Sequence, residues 1–402
     1  VACAKSVGGA SVAVASFGHA DDPERHHEAR ASATLNLNLR FREVLVVVAR
    51  RPALVRLLTT GTALAAVTVL GAGAAVAAPG TGSNSGSSVP AAFQEDPGPL
   101  PELRDIETAA IVGETPIAER AVRLTVASPA LRRDVGVEVL LPADNSVPRP
   151  TLFLLDGVSA RNHTSGWMNI GGAPAFFADK NVNVVMPNGG RGSLYSDWLQ
   201  SDPKLGLNKW ETFLTQELPP LLAARLNSNG VNAIAGNSMG GQAAMMLAHR
   251  HPELYRGVAA FSGCYSTVDL LGSAVVQTST SSQGGDAVNM WGPPGSREWA
   301  EHDTVAHAEN LAGKELYLSA ATGVPGPHET PDTPDLARTL VLGGILEAGS
   351  RMCTQRLEER LGALKIPVTV TYEPVGVHAW GYWRDQLPKA WPTLQRALET
   401  RP

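Results

Sequence analysis

The stretch Asn232-Ala-Ile-Ala-Gly-Asn-Ser-Met-Gly-Gly241 restricts the fold more than any other part of the chain. It reads as a short apolar strand, a tight turn and a helix beginning near Gly240. Ser238 sits on the turn, with Gly236 and Gly240 two residues to either side. A serine on a strained strand-to-helix turn needs small neighbours at both places, because the two backbones pass very close there. The helix that follows aims its first N–H groups at negative charge developing beside the serine. The pentapeptide alone also fits an ordinary Gly-rich turn. Its flanks favour the sharper reading: Val231 to Ala235 supplies a strand, and Ala243-Ala-Met-Met-Leu-Ala248 a helix apolar enough to pack under a sheet.

The neighbouring segments repeat the alternation. Ala121-Val-Arg-Leu-Thr-Val126 alternates as an edge strand does, and Val135-Gly-Val-Glu-Val-Leu-Leu141 follows the same period. Thr151-Leu-Phe-Leu-Leu155, Val182-Asn-Val-Val-Met186, Gly257-Val-Ala-Ala-Phe261, Glu315-Leu-Tyr-Leu-Ser319 and Val368-Thr-Val-Thr-Tyr372 read as further strands. Helices are expected over 210–226, with a kink or restart at Pro219-Pro220, over 336–364, interrupted by Gly343, Gly344 and Gly349, and over 383–399. Strands alternating with helices give a mostly parallel sheet with helices on both faces. With the serine turn, that is an α/β-hydrolase fold, expected over 118–402.

The preceding residues divide by composition. Residues 1–49 lack a clear period and have a polar centre; they read as disordered, or as translated upstream sequence. Residues 50–77 carry Arg50, Arg51 and Arg56, then an uncharged apolar run ending in Ala75-Val-Ala77. That is the layout of a secretory signal peptide, with a membrane anchor as its rival. Residues 78–117 form a flexible linker rich in Gly, Ser and Pro. The expected location is therefore secreted or at the cell envelope. Export would expose Cys264 and Cys353 to an oxidising environment, where they either pair or remain two buried thiols. A net charge of −5 gives no footprint for nucleic acid, and no Cys-x-x-Cys pair suggests a metal site. No cofactor is implied.

A serine becomes a useful nucleophile when a base takes its proton and a carboxylate orients that base. In this fold the order along the chain is serine, acid, histidine. His378, just after the last strand, is the candidate base; His302 and His307 fall in a polar, exposed-looking stretch and His328 in a Pro-rich loop. For the acid, pattern alone does not choose between Glu329, Asp332 and Asp335, in the loop after the Glu315 strand, and Glu347; a helix-face carboxylate is normally solvated, so the loop is preferred.

The sequence resembles the antigen 85 family of mycobacterial and corynebacterial mycolyltransferases from about Ala121 to the last helix. The likeness rests on Leu154-Leu-Asp-Gly-Val-Ser-Ala160 with Gly166-Trp167, on Met186-Pro-Asn-Gly-Gly190 with Tyr195-Ser-Asp-Trp198, and on Lys209-Trp-Glu-Thr-Phe-Leu-Thr215. Met290-Trp-Gly-Pro293 and His378-Ala-Trp380 with Tyr382-Trp383 complete it. The resemblance implies Ser238 as nucleophile, His378 as base and Glu347 as acid, since the family's acid lies in a helical Leu-Glu segment about thirty residues before the histidine. It implies the N–H groups of Val158 and Met239 as oxyanion donors, Asp156 as a sugar-hydroxyl ligand and Trp380 as a wall of the sugar pocket. The implied activity is transfer of a mycolyl group from a glycolipid donor to a trehalose-type sugar at the cell-envelope surface, through an acyl-enzyme.

Some positions depart from the family. Ser159 stands where Arg is common, which weakens the implication that the sugar is trehalose; the usual His-Ser-Trp is His-Ala-Trp; and both the cysteine pair that some members carry before the Trp-Glu-Thr segment and the cysteine often found after the Glu315-type strand are absent. Two other readings therefore stand beside the first: a secreted carboxylesterase with the same three residues, and a non-catalytic envelope-binding protein on the same scaffold.

Overall fold

The computed structural model describes residues 99–399. The expected upstream segment, the signal peptide and most of the linker lie outside the described residues. Among the described residues no helix is long and apolar enough to cross a membrane.

Nine strands form one sheet. They are β1 (Ala110–Ala118), β2 (Ala121–Ser128), β3 (Arg133–Leu140), β4 (Arg149–Leu155), β5 (Asn183–Pro187), β6 (Ser228–Asn237), β7 (Gly257–Phe261), β8 (Glu315–Ala320) and β9 (Thr369–Tyr372). Their spatial order is β1-β2-β3-β5-β4-β6-β7-β8-β9. Pairings from β1 to β5 are antiparallel, and those from β5 through β4 to β9 are parallel. This is the α/β-hydrolase fold.

Two expectations change at the first strands. Ala121–Ser128 is not an edge strand: β1 pairs with it from outside, inside the stretch expected to be linker. β1 was hard to read because an outer strand needs only backbone partners, and its side chains are mostly half-buried or exposed. Ordered structure therefore begins before Ala118.

The long helices are α1 (Leu218–Arg225), α2 (Met239–Arg250), α3 (Leu270–Ser281), α4 (Gly344–Ala363) and α5 (Trp380–Glu399). The expected helix over 210–226 has a π segment, Phe213–Glu217, that runs directly into α1, and the two prolines follow in the first turn of α1. Another π segment, Thr339–Gly343, precedes α4, so the break falls at Gly343 and Gly344 while Gly349 continues the helix. α5 starts at Trp380 and passes through Pro388 and Pro392. Both prolines and Arg384 are exposed, so the carbonyls freed by the missing N–H groups meet water.

The sheet has an apolar layer on each face. Phe153, Leu155, Ile234 and Val258 pack against α1, α2 and the end of α4. Leu152, Leu154, Ala233, Ala235 and Ala259 pack against Trp167 and the Trp383, Leu387 and Leu394 stripe of α5. Burying each such Leu contributes roughly 2 kcal/mol. Parallel strands buried on both faces must read as near-continuous apolar runs, as β4, β5 and β7 do.

The register brings the carboxyl ends of these strands to one rim. Leu155 lies beside Gly236, Asn237 beside Phe261, and Phe261 beside Ser319. The residues that follow these ends, Gly157, Ser238, Ser262 and Ala321, therefore emerge together.

Candidate active site

Ser238 holds φ 54° and ψ −123° between β6 and α2. That left-handed conformation is costly for a residue with a side chain, of order 1–3 kcal/mol, and it persists because the surroundings fix it. A Cβ on Gly236 would lie 2.4 Å from the carbonyl oxygen of Gly240, and one on Gly240 would lie 2.5 Å from the carbonyl oxygens of Leu155 and Asp156. Both glycines are thus required by close approach. The Ser238 N–H donates to the Phe261 carbonyl at 2.8 Å, tying the turn to β7.

His378 meets Ser238 from the loop after β9. Its Nε2 lies 2.7 Å from Ser238 Oγ, and its Nδ1 lies 2.8 Å from Glu347 Oε2. A carboxylate only accepts, so Nδ1 carries the proton and Nε2 is left to accept from the serine hydroxyl. Trp383 stands edge-on to the imidazole, with ring centroids 5.0 Å apart. The His378 N–H donates to the Gly343 carbonyl at 3.0 Å, which fixes the loop to the start of α4.

Glu347 is buried, 2% exposed, in the first turn of α4. Its Oε1 accepts from Ser262 Oγ at 2.8 Å and from the Ala321 N–H at 2.7 Å. With His378 on Oε2, the carboxylate has three donors. Trp383 Nε1–H in turn donates to Ser262 Oγ at 3.1 Å. Ser262 itself holds φ 53° at the end of β7. A disulfide joins Cys264 to Cys353, linking the segment just beyond Ser262 to α4, two turns beyond Glu347.

The rival acids lie elsewhere. Glu329 accepts from the Gly326 N–H and from the Tyr382 hydroxyl. Asp332 and Asp335 are exposed. His302 departs from its expected exposed setting: it is buried and stacks on Trp291 with centroids 4.3 Å apart. His328 pairs with Asp385.

Val158 follows β4, in a turn closed by the Ala160 N–H on the Gly157 carbonyl at 3.1 Å. A Cβ on Gly157 would lie 3.4 Å from Ser238 Cβ, so this turn abuts the nucleophile turn. Met239 opens α2, whose N-terminus carries no side-chain cap.

Asp156 does not offer an open carboxylate. It is 2% exposed, Oδ1 accepts from Ser165 Oγ at 3.0 Å, and Oδ2 accepts from the Gly166 N–H at 3.0 Å. Burial pushes its carboxyl up to about 6, against those hydrogen bonds. Its carboxylate clamps the loop over 165–167. Trp380 is half-buried against that loop: a Cβ on Gly166 would lie 2.2 Å from its ring. It meets Trp167 and Trp383 edge-on at 5.2 and 5.3 Å. The other tryptophans singled out above, at 167, 198, 210 and 291, are core.

Sequence reasoning passed over Ser262 and the Ala321 N–H. The available signal was their place immediately beyond two buried strands, at the rim where Ser238 emerges. Among the described residues no cluster of three His, Cys, Asp or Glu is placed to hold a metal. A separate apolar cavity lined by Thr151, Phe153 and Pro219 lies toward the opposite ends of β4 and β6, away from Ser238.

The family described as Putative esterase matches residues 128–394. Diacylglycerol acyltransferase/mycolyltransferase Ag85A of Mycobacterium tuberculosis is 33% identical over 290 residues, 69% of this chain and 82% of that protein. Ag85B of Mycobacterium leprae is 32% identical over 288 residues, 69% and 84% of the two chains. The crystal structure of MPT51 from Mycobacterium tuberculosis superposes with a TM-score of 0.60 at 27% identity, covering 70% of this chain and all of that one. An S-formylglutathione hydrolase from Agrobacterium tumefaciens shares the fold, with a TM-score of 0.55 at 17% identity over 72% of this chain and 99% of that one. The chain belongs to the antigen 85 family of esterase-fold proteins.

Proposed function

We propose that the protein is an exported serine acyltransferase that moves a long, mycolyl-type acyl group between trehalose-type sugars. The observation that carries this reading is the continuous hydrogen-bonded chain Ser238–His378–Glu347 at the rim of the sheet. The names of the mycobacterial relatives supply the acyl class.

In this mechanism Ser238 Oγ attacks the ester carbonyl of a glycolipid donor, and its proton passes to His378 Nε2. Glu347 stabilises the imidazolium and keeps its ring oriented. The N–H groups of Val158 and Met239 receive the oxyanion, a contribution of about 3–4 kcal/mol per donor in such sites. The tetrahedral intermediate collapses, the sugar alkoxide leaves with the proton from His378, and Ser238 carries the acyl ester. An acceptor sugar hydroxyl then gives its proton to His378 and attacks, the Ser238 ester bond breaks, and the serine regains its proton. Asp156 contributes by holding the Gly166 loop against Trp380.

Transfer requires that the acceptor outcompete water. Val324, Val341 and Val375 are exposed on the segments that hold His378, where the Gly376 N–H meets the Val324 carbonyl. An apolar rim of this kind suits a long acyl chain and disfavours water. The esterase reading keeps every step except the acceptor.

Trapping the acyl-enzyme tests the proposal. After brief mixing with a p-nitrophenyl ester and acid quench, mass spectrometry should find the acyl group on the peptide containing Ser238. An unmodified Ser238 peptide during active turnover would reject the covalent route.

A further inference from the structure

Glu138 is a buried carboxylate that the acyl-transfer steps above leave unused. It lies on β3, 1% exposed, paired across the sheet with Met186 on β5 and Arg123 on β2. A carboxylate taken out of water needs donors or a cation. Arg123 donates to Oε1 at 2.6 Å, and its own side chain is 39% exposed. The remaining donors come from one short segment: the Thr164 hydroxyl, 3.2 Å from Oε1, and the Ser165 N–H, 2.9 Å from Oε2.

The same segment grips Asp156. Ser165 is held from both sides, its N–H on Glu138 and its hydroxyl on Asp156. The Gly166 and Trp167 N–H groups then reach Asp156 at 3.0 and 3.4 Å. Two buried acids therefore hold four consecutive residues, 164–167, between them.

This clamp touches both sides of the candidate site. Gly166 packs against the Trp380 ring, and Trp380 follows the base His378 by two residues. Asp156 itself leads directly into Gly157 and Val158, in the turn that abuts Ser238. A slack clamp would let the oxyanion turn and the His378 arm drift apart.

The two carboxylates also oppose each other, and Arg123 offsets one of them. Burial, with the Glu138 charge adding to it, pushes the Asp156 carboxyl up to about 6. A proton there turns an acceptor into a donor facing other donors. Tyr195 also faces Asp156, and burial holds its hydroxyl neutral. Arg161 and His163, just before the clamped segment, are exposed.

We infer that Glu138 is a positioning residue: with Asp156 it forms a carboxylate pair that grips residues 164–167 and so holds the Val158 turn and Trp380 in register with Ser238. This rests on the serine chemistry proposed above, and it applies to a transferase and an esterase alike.

Hydrolysis of p-nitrophenyl butyrate by the full chain, measured from about pH 4.5 to 8.5, tests the inference. A fluorophosphonate probe counts active serines, so that unfolded protein does not enter the rates. Glu138→Gln should lower kcat per active serine about fivefold near pH 8, with KM within about twofold of wild type. In wild type His378 supplies one proton to the acidic limb and the carboxylate pair a second, so the limb steepens below about pH 6. In Glu138→Gln the steepening should move to lower pH, because a like charge is gone. In Arg123→Gln it should move to higher pH, because the cation is gone. Lost packing alone would move neither. An unmoved limb in either variant, or movement in the same direction in both, would overturn the inference while wild-type turnover leaves the serine mechanism standing. Wild type that neither hydrolyses the ester nor takes the probe would reject the proposed function, and the role of Glu138 with it. Arg123 is partly exposed, so its variant remains informative if Glu138→Gln does not fold.

Discussion

Ser238 and Glu347 stand at opposite ends of one hydrogen-bonded chain, and they are held by different means. Ser238 is fixed by backbone: two glycines that no side chain could replace and one N–H tied to β7. Glu347 is fixed by side chains and distant segments: Ser262, the Ala321 N–H, His378 and a disulfide beyond them. Backbone placement is written in consecutive residues. The acid's placement depends on β7, β8, α4 and the His378 loop arriving together, so it can be weakened from several places. Variants along the chain should therefore differ in kind as well as in size.

The largest effect is expected at the nucleophile. Ser238→Ala should lower kcat by at least about 10³-fold with the fold intact, measured by ester turnover beside a melting curve. Near-normal turnover would end the serine mechanism. Glu347→Gln should cost about 10²–10⁴-fold, because the imidazolium loses its partner, while Glu329→Gln should stay within about threefold. A reversed order would place the acid in the loop. Ser262→Ala should lower kcat about tenfold with KM unchanged, since it removes one donor to Glu347 and strands the Trp383 N–H. A change in KM alone would make Ser262 a substrate contact and not a positioning residue.

Smaller and different in kind is the disulfide. Its bond closes a loop spanning 89 positions. Replacing both cysteines with serine should lower unfolding free energy by about 2–4 kcal/mol while kcat changes less than Ser262→Ala changes it. Denaturant titration and turnover on the same samples separate the two. Least connected to the site is His249, buried against Thr304, whose imidazole burial pushes down to about 4 from 6.5. The unfolded chain then binds the proton more readily than the folded one between those values. Stability from His249 is present above about pH 6.5 and is lost as pH falls toward 4, on the order of 3 kcal/mol in all. His249→Gln should flatten that part of the stability profile; an unchanged slope would show that the residue does not titrate there.

The same contrast explains what could be read in advance. The turn at Ser238 and the runs of β4, β5 and β7 announce themselves because each is a local requirement: close backbone approach, or burial on both faces. β1 left little trace because its contribution is backbone pairing to β2. The boundary at Gly343 and Gly344 was visible as glycine, but the π segment before it was not. Residue pattern favoured the loop acids over Glu347, and family likeness was needed to point to the helix. The burial of Asp156 was hidden as well, because its donors come from a loop nine to eleven residues later. Ser262 needed knowledge of which strand ends meet.

The central claim is acyl transfer through Ser238, and product partition tests it most directly. A trehalose-linked lipid donor is supplied to the protein with free trehalose in excess, and the products are separated for wild type and Ser238→Ala. The account predicts doubly acylated trehalose from wild type and none from the variant. Free fatty acid as the sole product would make the protein an esterase, and doubly acylated trehalose from Ser238→Ala would contradict the account outright.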